Sequence, residues 1–327
     1  MLAVALAAAL GAASLAVAAV ALVHAADPTK LPVGDSRLTT TAARQGYVFS
    51  CSSHTGGGGA QAVGSWIHGT TWDSTAKVTV DGSVQWDSVR RVVGAGAKRG
   101  VSGNGLPSHV TGTFPVSVSD DAYAIDRNPN AIKAQTVAYS LAANPVNAAK
   151  VSCLDEGPIG VMLTGSALFD ALDATGRDAP AHEVQDRCGG HPEVTGVYHY
   201  HSLSPCMDTG SSTTQHSKLL GYAMDGYGIY GPRGDGGKLL ASADLDLCHG
   251  TTDTITWNGK QVRMYHYVLT ADFPYSVSCF RGTPVRSAHA AGSGQGRPGG
   301  PPPGGGPPPG GGPLPGGPPP GGPPPGR

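Results

Sequence analysis

Residues 196–206 read GVYHYHSLSPC and hold the densest chemistry in the chain. In an extended segment alternate side chains share a face, so His199 and His201 point one way while Tyr198 and Tyr200 point the other. Two imidazoles one strand repeat apart can close on a single ion at roughly 2.0–2.1 Å, which makes the pair half of a metal site. Completing it takes one or two further ligands. His191, His182 and Asp186 lie just upstream, and His266 sits in a second Tyr-His-Tyr triplet at 265–267. Nitrogen-rich ligation without thiolates favours zinc or copper over calcium. The competing reading places both tyrosines in a core and leaves the histidines to hydrogen bonding or solvent. In the second triplet the position matching His201 is Val268, so only one triplet can present the pair. Asp225, between Met224 and Gly226, is a candidate ligand or general base, although an Asp before Gly is also a common hairpin-turn residue.

Other chemistries find less support. Residues 182–186, HEVQD, match a zincin helix only as far as the fifth position, where Asp replaces His. No Gly-x-Ser-x-Gly elbow occurs. Asp170, Asp173 and Asp178 lack the ligand spacing of a calcium loop and read as a solvated turn. Arg233-Gly234-Asp235 is an adhesion-like tripeptide in a Gly-rich turn. A net charge of −1 provides no field to hold a polyanion, which argues against a nucleic-acid partner, and Arg90, Arg91, Lys98 and Arg99 read as a solvated face.

The elements that must position these residues read as β. Fifty glycines and 28 prolines interrupt helical periodicity, and short β-prone runs lie between turn residues. Residues 77–80 and 83–86 flank Asp81-Gly82 and predict a hairpin, with further strands expected within 110–118 and 135–141. The chain also echoes itself. Residues 159–169 (IGVMLTGSALF) read against 220–230 (LGYAMDGYGIY), and 198–200 against 265–267, which predicts a pseudo-duplicated hairpin-plus-YHY unit at about 151–206 and 219–282.

Cys51, Cys153, Cys188, Cys206, Cys248 and Cys279 make an even set with no Cys-x-x-Cys, so three disulfides in an oxidising compartment are expected. If the internal symmetry extends to them, Cys188–Cys206 and Cys248–Cys279 staple the two copies and Cys51–Cys153 ties on the N-terminal part. Residues 1–25 are an apolar run read as a secretory signal segment, with cleavage after Ala25. It has no Lys or Arg before it, and an uncleaved segment would serve as an anchor, the one membrane contact expected. Residues 26–46 read as a linker, 47–289 as one β domain, and 290–327 as a disordered Gly/Pro-rich tail suited to cell-wall or matrix contact.

Several of these motifs together resemble the YHYH-domain family of secreted and cell-surface proteins. They are GLPSHVTGTFP at 105–115, NPN at 128–130, DEGPIGV at 155–161, HEVQD at 182–186, Gly190-His191, YHYH at 198–201, LGYAMDGYGIYGP at 220–232, and FPY at 273–275 with CFRG at 279–282. The resemblance implies a single domain across both halves, and it implies no settled activity. Gly228 stands where the family's hairpin has Pro, and Thr164-Gly165 where Asn-Gly is expected. The expectation is therefore an exported, mainly β, disulfide-stapled domain, secreted, periplasmic or on the cell surface. Its expected role is a metal-binding module built on His199, His201, His191 and His266, with zinc or copper as the ion. A metal-free structural or adhesive protein is the first alternative, and a metal-dependent hydrolase or oxidase the second.

Overall fold

Turn residues divide the chain into short strands, as the glycine and proline content requires. The structure is a computed structural model that describes residues 26–285; the apolar run read as a signal segment and the Gly/Pro-rich tail lie outside them. The N-terminal half contributes β1 (Leu31–Pro32), β2 (Leu38–Thr39), β3 (Val48–Phe49), β4 (Ile67–His68), β5 (Thr71–Trp72), β6 (Arg90–Ala95), β7 (Lys98–Gly103) and β8 (Val137–Ala142). The second half contributes β9 (Gly160–Met162), β10 (Ala167–Leu168), the helical turn α1 (Ala179–His182), β11 (Gly190–Pro192), β12 (Tyr198–Tyr200), β13 (Leu219–Ala223), β14 (Gly228–Tyr230), β15 (Gly250–Trp257) and β16 (Lys260–Val268). The mainly β class holds.

All eight strands of the second half form one sheet in the order β11-β12-β10-β9-β13-β14-β16-β15. That order is a palindrome of two equivalent four-strand sets. In each, a hairpin (β9–β10, β13–β14) is joined by a parallel Tyr-His-Tyr strand (β12, β16), which pairs with an antiparallel edge strand (β11, β15). The two sets meet antiparallel at β9 and β13, where Val161 faces Tyr222 and is flanked by Gly160–Ala223 and Met162–Gly221. Offset by 61 positions, these three pairs map onto one another, so a local pseudo-twofold axis passes between Val161 and Tyr222.

Each edge strand starts at the same polar anchor. Asp186 Oδ1 accepts from Cys188 N at 2.9 Å, Gly190 N at 3.3 Å and the Tyr198 hydroxyl at 3.0 Å. Asp246 Oδ1 repeats this with Cys248 N at 2.9 Å, Gly250 N at 3.0 Å and the Tyr265 hydroxyl at 3.1 Å. Glycine is needed at both strand starts because a Cβ on Gly190 would lie 2.4 Å from the Tyr198 hydroxyl, and one on Gly250 2.2 Å from that of Tyr265. The disulfides are Cys51–Cys153, Cys188–Cys206 and Cys248–Cys279. The core runs along the sheet through the fully buried Tyr198, Tyr200, Tyr230 and Tyr267.

Two local expectations give way to long-range pairing. Residues 77–80 and 83–86 do not form a hairpin; Val80 bridges to Asp186 and Val84 to Thr111, while Gly82 turns against Thr113. Burying Val80 beside the sheet outweighs the local turn preference. The basic cluster is solvated only at Arg90, Arg91 and Lys98. Arg99 is buried between Tyr222 and Trp257, its guanidinium 4.4 and 4.3 Å from the two ring centroids, and donates to Asn258 Oδ1 at 2.9 Å.

Candidate metal centre

The register of the edge hairpin sets the site. His191 on β11 lies directly opposite His199 on β12, and His201 follows two residues on, on the same face as His199. The ring centroids of His191, His199 and His201 lie 4.6, 4.8 and 5.4 Å apart. One ligand atom from each falls within 4.8 Å of the others, and all three residues are buried. A fourth donor comes from just after α1: Glu183 Oε2 lies 3.5 Å from His191 Nε2 and 3.6 Å from His201 Nε2. Phe169 closes one side, stacked on the His199 ring at 3.9 Å.

Protonation follows from the neighbours. His199 Nδ1 lies 3.1 Å from the Val197 carbonyl and His201 Nδ1 contacts the Asp170 carbonyl. A carbonyl oxygen only accepts, so both Nδ1 atoms carry hydrogen and donate, and in the neutral rings both Nε2 atoms present bare lone pairs. Those lone pairs face each other at 3.0 Å. Protonating one ring would relieve the contact, but burial opposes it. His201 is driven down to about 3, mainly by desolvation and then by the adjacent His199. Burial, with His201 beside His191 and His191 beside His199, holds both of those rings well below the usual imidazole range. Both ring nitrogens of His191 and Oε2 of Glu183 are buried without a hydrogen-bond partner. Burial, then the nearby Asp126 and Asp173, pushes the Glu183 carboxyl well above its ordinary range.

The other sequence candidates lie elsewhere. His266 is not part of this group: β16 is five strand steps from β12, on the order of 24 Å at about 4.8 Å per step. The pseudo-twofold axis separates the two triplets instead of superposing them. His182 Nε2 is engaged by Asp35 at 2.9 Å. Asp186 is occupied by its anchor contacts and by Gly112 N at 3.0 Å. Asp225 is buried at the second hairpin turn, accepting from the Tyr267 hydroxyl at 2.6 Å and Gly282 N at 2.8 Å, which leaves it no access to a substrate as ligand or base. Asp170, Asp173 and Asp178 are buried and bonded within their own turns, not solvated. The sulfurs of Cys188 and Cys206 lie near His109 but are bonded to each other and provide no thiolate. Sequence reasoning missed Glu183 as a donor, because HEVQD reads as an incomplete helical motif and as a mark of the family resemblance, with no ligand role for its Glu.

Residues 138–238 match the family model described as YHYH protein. The chain carries a YHYH domain. The matched segment contains Glu183, His191, His199 and His201 and ends before β15 and β16. No curated protein and no solved structure matches the chain.

Proposed function

We propose that this YHYH-domain protein is an exported metal-binding module that holds one transition-metal ion, zinc or copper, between His191, His199, His201 and Glu183. The observation that carries this reading is the pair of carbonyl-anchored imidazoles whose Nε2 lone pairs meet in a buried space. A cation between them turns a repulsion into two bonds. Ligands bound at roughly 2.05 Å in a tetrahedron stand roughly 3.3 Å from one another. The spacings of 3.0, 3.5 and 3.6 Å in this cluster bracket that value. Three disulfides and the apolar leading segment support export.

The enclosure favours an ion held for architecture over a reaction centre. Each histidine is no more than 4 % exposed and Phe169 covers His199, whereas a catalytic metal keeps a coordination position open to substrate. The Gly/Pro-rich tail would then serve as the wall- or matrix-facing spacer.

Elemental analysis of the full chain, recovered from an oxidising compartment without a histidine tag, tests the reading. The wild type should carry one more zinc or copper ion per chain than His199→Ala/His201→Ala. Equal metal content in the two proteins would rule the reading out.

A further inference from the structure

The strand histidine of the second set has its own cluster. His266 Nδ1 donates to the Met264 carbonyl at 3.2 Å, two residues back, as His199 does to Val197. His216, from the segment before β13, donates through Nδ1 to the Ser217 carbonyl at 2.8 Å. Both Nδ1 atoms face carbonyls, which only accept, so they carry hydrogen, and the two Nε2 atoms face each other at 3.2 Å. Asp253 of β15 brings Oδ2 to 3.9 Å from His216 Nε2, and one ligand atom from each of the three lies within 4.8 Å of the others. Gly234 leaves room for that carboxylate, since a Cβ there would sit 2.7 Å from Asp253 Oδ2.

The pseudo-twofold relation supports a common device. Tyr230 occupies the place of Phe169 and meets both rings edge-on, at 5.3 Å from His216 and 5.0 Å from His266. The remaining ligands are supplied differently. Val268 stands where His201 would be, and His216 arrives from outside the strand to fill the role. Thr251 stands opposite His266 as His191 stands opposite His199, and Asp253, two residues on and on the same face, donates in its place.

We propose that His216, Asp253 and His266 form a second site for a divalent transition metal, at the other end of the sheet from the YHYH histidines. The side chains of His216 and Asp253 are 12 % and 17 % exposed, against 4 % and 5 % for His191 and His201 and 11 % for Glu183, so this cluster lies nearer to solvent than the first. Two imidazoles and one carboxylate leave a fourth position to water, which makes the ion exchangeable. The first cluster offers four donors and the second three.

Chelator-stripped full-length protein titrated with zinc chloride should take up two ions. His216→Ala and, separately, Asp253→Asn should each lower the affinity for the weaker ion at least tenfold, with circular dichroism unchanged. His199→Ala/His201→Ala should remove the tighter ion and spare the weaker. Folded His216→Ala and Asp253→Asn proteins that both bind two ions at wild-type affinity would overturn the second site. So would a wild type whose only ion disappears in His199→Ala/His201→Ala. A protein that loses its only ion in His216→Ala and keeps it in His199→Ala/His201→Ala would sustain the second site while removing the first.

Discussion

At the scale of single residues, the local partner of each imidazole decides what it can do. A histidine whose Nδ1 is committed to a carbonyl and whose Nε2 meets another lone pair is arranged for a cation; one whose two nitrogens are both satisfied is not. His249 is of the second kind, donating to the Val268 carbonyl at 2.8 Å and meeting Ser242 Oγ at 2.9 Å. Burial drives it down to about 4, from the ordinary 6.5. The unfolded chain therefore takes up the proton first as pH falls. Neutral His249 contributes stability that is fully present above pH 6.5 and lost as pH drops through about 4, a difference of roughly 3 kcal/mol. Its φ of 67° is left-handed, a conformation that Asn tolerates. Urea melts of chelator-treated protein between pH 7 and 4 should show the wild type losing about 3 kcal/mol more than His249→Asn. Parallel stability curves for the two proteins would contradict this.

At the scale of elements, the central contact of β9 with β13 depends on the absence of a side chain. A Cβ on Gly221 would lie 2.7 Å from the Val161 carbonyl and 2.7 Å from Met162 Sδ, and the carbonyl belongs to the paired strand and cannot swing aside. Gly221→Ala should cost about 2–4 kcal/mol by chemical denaturation, from overpacking at the axis. Gly94 on the exposed strand β6 has nothing within 4 Å of its Cβ position, so Gly94→Ala should stay within about 0.5 kcal/mol of wild type. Similar losses from the two variants would show that the β9–β13 contact is not constrained in this way. Strand reading from the sequence worked at residues 135–141, which contain most of β8, because every residue of that strand pairs with β7 in an unbroken ladder. It failed at 77–86, where an Asp-Gly turn was available but each flanking run makes only a single bridge, Val80 to Asp186 and Val84 to Thr111, and at 110–118, where only Thr111 is bridged.

For the whole molecule, the disulfides close loops of very different length. Their sequence separations are 102 residues for Cys51–Cys153, 31 for Cys248–Cys279 and 18 for Cys188–Cys206. Loop-closure entropy alone assigns them roughly 4.7, 3.7 and 3.2 kcal/mol, so replacing Cys51 and Cys153 together should destabilise the protein most. Thermal or urea melts of the three paired Cys→Ala variants check the order. The opposite order would mean that strain or residual structure in the unfolded chain dominates over chain entropy.

Spacing along the chain was enough for anything that period-two geometry or internal repetition dictates. His199 and His201 share a face because a strand alternates, and the echo between 159–169 and 220–230 reappears as a palindromic strand order. The repeated Asp-x-Cys-x-Gly of residues 186–190 and 246–250 was equally present in the sequence, but its meaning as the anchor for a Tyr hydroxyl shows only once the edge strands are paired. Two facts needed the folded chain. His266 is divided from the YHYH histidines because strand order, not sequence similarity, sets distance across a sheet. Glu183, His216 and Asp253 join the clusters through contacts between segments whose neighbours in sequence carry no metal-ligand spacing, and only closing the loops brings their donor atoms together.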